Sequence, residues 1–198
     1  MRIQPASKLT TWAAMAIILF VVCACAESGQ ATAAQDQSKE FQARIDKYLE
    51  IHRKAVASVP AIPKETTDAA LIAKHEQQIA AAIRSLRPNA LVGEIFTPAV
   101  RQMIVGTVKQ KVDGKAGESA KETILGEGNP KGPESGTSVN LAVNGVYPTT
   151  APLSTVPPSV LMALPTLPKE LEYRFVGRNL ILRDTVANLI VDFIPNVI

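Results

Sequence analysis

The chain carries few side chains that could do chemistry at neutral pH, and its only histidines, His52 and His75, are the first candidates. Each follows the apolar spacing of a predicted helix, so helix packing could bring the two rings together. A metal site would need a third ligand at helical spacing. The residues four positions earlier are Tyr48 and Leu71, which complete no such set. We therefore predict no metal ligand and no cofactor, and expect both histidines to lie half-buried at the edge of the core.

Motifs of the common enzyme classes are missing from the sequence. There is no Gly-x-Ser-x-Gly, no His-Glu-x-x-His and no phosphate-binding loop. No pair of acidic residues has a spacing that indicates a glycosidase dyad, and a hydrolase would also need a base for its nucleophile. We predict that the protein is not an enzyme and has no catalytic residue.

Both cysteines, Cys23 and Cys25, lie in an apolar run that follows a basic N-terminus and ends in small residues. This layout is typical of a secretory signal peptide. The run is shorter than the roughly 20 residues of a membrane-spanning helix. We predict that residues 1–26 are removed after Ala26, which leaves an exported chain without cysteine and hence without disulfides.

Other processing outcomes stay open. Residues 22–25 could serve as a lipobox, with Cys25 lipidated to give a membrane-tethered lipoprotein. Cleavage after Ala33 or Ala34, or retention of the run as an anchor, are further alternatives. Residues 27–37 are polar and predict a flexible tether in either case.

Charge argues against nucleic acid as a partner. The sequence has 21 basic and 18 acidic residues, and removal of Arg2 and Lys8 with the leader leaves 19 against 18, or +1. A nucleic-acid-binding protein usually has a strongly basic face. We predict no nucleic-acid binding, and membrane association only if the chain is lipidated.

Three segments have the apolar spacing of helices and make up a predicted helical region, residues 38–112. The first, residues 38–57, ends before Pro60, and the second, residues 67–86, has Asp68 in its first turn, where an acid favours the helix dipole. These two predict a helical hairpin. The third begins at Thr97-Pro98, a typical N-cap and first-turn pair, and stops at Asp113-Gly114.

Residues 113–138 contain six of the eleven glycines and predict a Gly-rich linker and a domain boundary. The fourteen prolines and eleven glycines also interrupt the chain often, which predicts small separate units rather than a single large core.

Residues 139–198 predict a Pro-rich and β-rich module. A short strand is expected within 141–146, followed by an extended Pro-rich stretch, residues 148–168, with a helical turn at 159–164. Alternating apolar and charged residues then predict a strand at 171–175. Gly177-Arg178 predicts a hairpin turn with a positive φ at Gly177, and further strands follow at 180–182 and 189–194. The predicted fold class is α+β, with N-terminal helices, the linker and this small hairpin or meander module.

Charged residues in this module have two interpretations. Arg174, Arg183, Asp184 and Asp192 could form cross-strand ion pairs, each worth roughly 0.2–1 kcal/mol. Alternatively, Tyr173 together with Arg174, Arg183 and Asp192 could form a small face that contacts a partner. The Pro-rich stretch could also dock in a partner's groove.

The module also resembles a known arrangement. It has Val156-Pro157-Pro158, Tyr173-Arg174-Phe175-Val176-Gly177, Leu180-Ile181-Leu182 and Ile190-Val191-Asp192 in order. This series resembles a small C-terminal module of uncharacterised exported bacterial proteins and is loosely similar to periplasmic nickel/cobalt-homeostasis accessory proteins. The resemblance implies a periplasmic or envelope location and a non-catalytic accessory role, and it implies no site residues.

We therefore predict a non-catalytic exported protein, periplasmic, envelope-associated or secreted, that binds another envelope protein or a peptide. The alternatives are a periplasmic metal- or stress-responsive protein and a lipoprotein tethered through Cys25. The sequence leaves the identity of the partner and the oligomeric state open.

Overall fold

A computed structural model describes the backbone of residues 13–127, 141–147 and 155–198, and the side chains of residues 33–126, 141–147 and 155–198. Helices occupy the N-terminal part and a small antiparallel sheet the C-terminal part, which confirms the α+β prediction. The helices are α1 Ala13–Ser58, α2 Ala69–Leu86, α3 Pro98–Val112, α4 Glu118–Glu127 and α5 Pro158–Leu161, and the strands are β1 Leu171–Val176, β2 Asn179–Asp184 and β3 Leu189–Ile194.

The chain divides into two compact units, Met1–Gln37 and Ser38–Ile198. In the first, α1 continues through residues 27–37, where the sequence predicted a flexible tether. Alanine and glutamine are frequent in that stretch, and both favour helix. Cys25 and Ala26 also lie in α1, outside the described side chains, so lipidation and cleavage stay predictions. No helix in the described ranges is both long and apolar enough to cross a membrane.

The third helix begins where the sequence predicts, and α2 begins two residues later than predicted, which places Asp68 at its N-cap. Asp68 caps α2, because its Oδ1 accepts hydrogen bonds from the amides of Ala70 at 2.9 Å and Leu71 at 3.2 Å. It therefore satisfies free amides of the first turn directly, beyond any effect on the helix dipole. Thr97 caps α3, with proline at the first position, and Asp113 ends it.

The Gly-rich linker is not confirmed, because α4 lies within it. Gly114 has φ +73°, and a Cβ on Gly117 would collide with the backbone of Val112, so the two glycines permit a tight turn after α3. Good helix formers follow this turn, and Ile124 of α4 is fully buried. Residues 128–138 lie outside the described part of the chain.

The sheet has the order β1-β2-β3, with both neighbouring pairs antiparallel. Gly177 joins β1 to β2 with φ +56°, as the predicted turn requires. The predicted strand within 141–146 is reduced to one bridge, between Val146 and Leu189. The predicted helical turn at 159–164 is α5, and residues 139–140 and 148–154 lie outside the described ranges.

A β-bulge in β3 decides which side chains face the helices. Arg183 pairs with Ile190, but Leu182 pairs with Asp192, so Val191 is an extra residue. Strict alternation from Leu189 would place position 192 on the outer face of the sheet. The bulge instead places Asp192 beside Leu182, on the face that packs against the helices.

The helices and the sheet share one hydrophobic core, contrary to the predicted small units. One cluster of buried residues runs from Phe41 of α1, through all five helices and three strands, to Ile198. Phe41 stacks on Phe96 with ring centroids 6.0 Å apart. A smaller cluster covers the opposite face of the sheet and includes Tyr147 and Ile181. Prolines and glycines end the helices and strands, but the apolar faces of these elements still pack against one another in one core.

Close backbone contacts join α3 to α4 and to α5, which the sequence did not predict. The hairpin of α1 and α2 stays a prediction. Both α1 and α2 also make hydrogen bonds to the C-terminal part of the chain. Tyr48 of α1 bonds to Asp184, and Arg84 of α2 donates to the carbonyl of Asn144 at 3.0 Å.

Candidate functional site

Two carboxylates, Asp184 and Asp192, are fully buried on the helix-facing side of the sheet. A buried carboxylate is costly unless hydrogen bonds or charges compensate it. Each has a complete set of partners, but the partners differ in kind. The surroundings of these two residues form the most polar part of the core and the first candidate site.

The first group, here called the Asp184 cluster, consists of Tyr48, His52 and Asp184. Oδ2 of Asp184 accepts a hydrogen bond from the Tyr48 hydroxyl at 2.8 Å and lies 2.6 Å from Nδ1 of His52. Oδ1 accepts from the amides of Val186 and Ala187 at 2.9 and 2.8 Å. The cluster therefore ties α1 to the β2–β3 turn through side chains four residues apart on one helix face.

Burial and mutual hydrogen bonds shift the pKa values of all three members. The hydrogen bond to Asp184 raises the pKa of His52 above 6.5, although burial opposes this change. Burial alone would raise the pKa of Asp184, but hydrogen bonds from His52 and the Ala187 amide outweigh it and hold the pKa below 3.8. Burial, with the neighbouring carboxylate, raises the pKa of Tyr48. Both shifts favour an imidazolium–carboxylate pair between His52 and Asp184 at pH values from about 3.8 to 6.5.

The second group, the Asp192 cluster, is built from backbone amides. Oδ1 accepts from Gly93 at 3.0 Å and Phe193 at 2.8 Å, and Oδ2 accepts from Ile95 at 2.9 Å and Phe96 at 2.8 Å. Residues 93–96 lead directly into α3. The Asp192 carboxylate therefore holds the segment that precedes α3 against strand β3.

Arg87 lies between the two clusters. Its buried guanidinium stacks 5.3 Å from the centroid of the Tyr48 ring and donates to the carbonyl of Val191 at 3.2 Å. It also pairs with Glu94 at 2.6 Å. The basic residue that closes α2 thus joins α1, β3 and the loop before α3 in one polar network.

The outer face of the sheet carries an ion-pair group of its own. Glu172 pairs with Arg174 at 2.7 Å and with Arg183, directly opposite on β2, at 2.6 Å. The predicted cross-strand pairing is present, but its acid is Glu172 rather than Asp184 or Asp192. These two aspartates face the helices, whereas the arginines lie on the other side.

The Asp184 cluster resembles the base and orienting acid of a catalytic triad, because one imidazole nitrogen faces a buried carboxylate. A triad also needs a nucleophile within hydrogen-bond reach of the other nitrogen. Within the described residues, Nε2 of His52 forms no hydrogen bond, and Tyr48 shares the carboxylate oxygen. The described geometry is that of a polar contact that links α1 to the sheet.

The two histidines have different environments. His52 is buried, more deeply than predicted, while His75 is half-buried as expected, with Nδ1 lacking a hydrogen-bond partner. The described side chains contain no group of three His, Cys, Asp or Glu residues placed to hold a metal ion.

A surface cleft lies between α5 and β1, here called the α5–β1 cleft, with a volume of about 530 Å³. Tyr173 and Arg174, two of the predicted interaction residues, line it. Arg183 lies beside it on β2, paired with Glu172, whereas Asp192 is buried in its own cluster. The other lining residues are Thr155, Val156, Leu161, Met162, Leu164, Pro165, Thr166, Leu167, Leu171 and Glu172.

Sequence reasoning missed the Asp184 cluster, although a signal was present. Tyr48 and His52 interrupt an apolar stripe with polar groups four residues apart, and buried polar groups require partners. That signal shows a missing acceptor but does not identify it, because Asp184 lies 132 residues beyond His52.

Comparison of the chain with models of known protein families, with curated proteins and with solved structures finds no match in any of the three. The resemblance of the C-terminal module to exported accessory proteins therefore stays a prediction.

Proposed function

We propose that the protein is a non-catalytic, exported accessory protein that binds an extended peptide segment of another envelope protein in the α5–β1 cleft. The observation that carries this proposal is the exposure of two large apolar side chains at the cleft. Leu161 is 49% and Met162 83% exposed. Exposed apolar groups that border a cleft are typical of interaction sites, and methionine adapts to varied partners.

The chemistry of the walls favours a peptide over a compact polar ligand. The lining includes aliphatic residues such as Leu164, Leu167 and Leu171, which can contact apolar side chains of a peptide. Glu172 and Arg174 provide charged groups on one wall, which could fix the direction of the peptide. A volume of about 530 Å³ accommodates a few side chains.

The cleft is also held in shape before any partner binds. The Tyr173 hydroxyl donates to the carbonyl of Pro165 at 3.1 Å and so ties the Pro-rich stretch to β1. Arg174 is held by Glu172. A preformed site loses less conformational entropy on binding than a flexible one.

Site-specific photocrosslinking in the host cell tests this proposal. A photoreactive side chain at Met162 should yield a discrete adduct with an envelope protein. The same group at Leu86, which is 47% exposed on α2, is the matched control and should not. Identical adducts at both positions, or none at Met162, would contradict the proposal. Point substitution is preferable to deletion of residues 139–198, because the sheet is part of the common core.

The metal- or stress-responsive alternative is tested separately by thermal shift with nickel, cobalt or zinc, with His52→Ala/His75→Ala as the control. The lipoprotein alternative is tested by intact mass and N-terminal sequence of the protein from soluble and membrane fractions. A lipid mass on Cys25 would make the protein membrane-tethered, whereas a chain that starts at Glu27 would make it free.

A further inference from the structure

A second cleft lies on the outer side of α3, here called the α3 cleft, with a volume of about 650 Å³. It shares no lining residue with the α5–β1 cleft. Its charged lining residues are the exposed cations Arg101 and Lys109, and no acid lines it. Its lining residues are Val92, Gly93, Phe96, Pro98, Arg101, Gln102, Val105, Lys109, Phe193 and Asn196.

The two cations have no acidic partner in the described part of the chain. Among the described residues, Arg101 makes only a long hydrogen bond of 3.4 Å to the carbonyl of Pro195, and Lys109 forms no ion pair. No side chain of α3 neutralises the charges of Arg101 and Lys109, because the helix contains three basic residues and no acidic one. The cleft thus carries two exposed positive charges on α3, whereas the nearest carboxylate, Asp192, is buried beneath it and held by the amides of Gly93, Phe96 and Phe193.

The spacing of the lining residues along α3 defines the ligand. Arg101, Val105 and Lys109 are four residues apart and lie in one row on the helix. At 1.5 Å per residue the Cα atoms of Arg101 and Lys109 are about 12 Å apart, and because helical side chains lean in the same direction their charged groups keep about this separation. A ligand with two separated acids and an apolar group between them therefore fits both cations.

We propose that the α3 cleft binds an acidic, extended peptide segment of a partner protein, with acids at positions i and i+4 and an apolar residue at i+2. In an extended chain these three side chains share one face, and the acids lie about 13 Å apart. The acids meet Arg101 and Lys109, and the apolar residue packs between Val105 and Phe193. Gln102 and Asn196 supply amides for the peptide backbone.

A membrane surface and nucleic acid fit the cleft less well. Anionic lipid surfaces are usually bound by clusters of about four to eight basic residues, and only two line this cleft. Nucleic acid requires a broad basic face, whereas the chain without residues 1–26 has a net charge of only +1.

Fluorescence anisotropy of a labelled, capped Glu-Thr-Val-Thr-Glu peptide at low salt tests the proposal on the purified protein. We expect saturable binding that weakens as salt rises, because exposed charges are screened. Arg101→Gln and Lys109→Gln should each weaken binding about two- to fivefold. Lys111→Gln, which removes a cation from the same helix outside the cleft, is the matched control and should leave binding unchanged.

Peptide and vesicle variants complete the test. Gln-Thr-Val-Thr-Gln should bind at least several times more weakly, and so should a peptide with its acids at i and i+3. No binding of the acidic peptide, equal binding of the Gln peptide, or insensitivity to both substitutions would overturn the proposal. Sedimentation with phosphatidylglycerol vesicles that is lost in the same two variants would assign the cleft to a lipid surface and overturn it too. None of these outcomes depends on the α5–β1 cleft.

Discussion

Asp184 and Asp192 are buried carboxylates that are stabilised by different kinds of hydrogen-bond donor. Both carboxylates are fully buried on the same face of the sheet. Asp184 receives a hydroxyl, an imidazole and two amides, whereas Asp192 receives four amides. A hydroxyl and a neutral imidazole nitrogen can also accept hydrogen bonds, but an amide N–H can only donate. The Asp184 cluster can therefore adapt to a change of charge or pH, and the Asp192 cluster cannot.

Replacement of each aspartate by asparagine is the strongest test of this difference. In Asp192→Asn one oxygen becomes an NH₂ group that faces buried amides, which should cost about 3 kcal/mol or more. In Asp184→Asn the NH₂ can donate to Tyr48 and to neutral His52, which should limit the loss to about 1–2 kcal/mol. Urea denaturation at pH 7 measures both. Equal costs, or a larger cost at Asp184, would refute the distinction.

The second test uses pH. The raised pKa of His52 contributes stability that is complete below about 6.5 and is lost as the pH rises through the folded-state pKa. The lowered pKa of Asp184 contributes stability above 3.8 that is lost as the pH falls through its folded-state pKa. Stability attributable to the cluster should therefore be greatest between these values. His52→Gln should cost about 2 kcal/mol at pH 6 and less at pH 8.5.

Only the loss of stability at alkaline pH is specific to the Asp184 cluster. Arginine neighbours outweigh burial and lower the pKa of Glu172, so that residue also contributes to the acid side. The hydrogen bond to Asp184 is the main cause of the raised pKa of His52, and the charges of Glu170 and Arg53 act on that pKa more weakly and in opposite directions. The wild-type protein should lose stability above pH 6.5 in denaturant titrations, and His52→Gln should not. A loss of the same size in both would show that His52 is not responsible.

A smaller effect is expected for Tyr48→Phe. It removes one of four hydrogen bonds to Asp184 but keeps the ring beneath Arg87. The loss should be about 1–1.5 kcal/mol, the usual value for one buried hydrogen bond. Because His52 is unchanged, the alkaline loss of stability should persist. Its disappearance in this variant would mean that the hydroxyl, rather than the imidazole, controls the pH response.

The smallest effect is expected on the outer face of the sheet. Glu172→Gln weakens the pairs with Arg174 and Arg183, which are partly exposed, so the loss should be about 0.5–1 kcal/mol. High salt should reduce the difference from wild type, because exposed pairs are screened. A loss as large as that of Asp192→Asn would remove the contrast between the two faces.

Much of the fold was predictable from local sequence. Thr97-Pro98 and Asp113 mark the ends of α3, and the alternation from Leu171, with Gly177 at the turn, predicts the hairpin. These signals depend on backbone geometry and capping groups within a few residues. Helix α4 was missed because glycines on both sides outweighed the short apolar pair Ile124-Leu125, which stabilises a helix only by packing.

The candidate site was less predictable. His52 and Tyr48 were visible as polar interruptions of an apolar stripe, but their acceptor depends on contacts more than 130 residues away. The sequence placed Arg174 and Arg183 on the correct strands, but the acidic partners predicted for them were wrong. The acid opposite Arg183 follows from the register of β1 against β2, which places Glu172 there.

The sequence by itself determined several elements: where α3 begins and ends, which residues form the three strands of the sheet, and where the chain turns at Gly177. Tertiary structure decided which face each charge occupies and that all elements share one core. The bulge at Val191 turns Asp192 inward, and the docking of α1 encloses Asp184. Capping and alternation are local and readable in order along the chain, whereas burial of a charge depends on partners brought together only by folding.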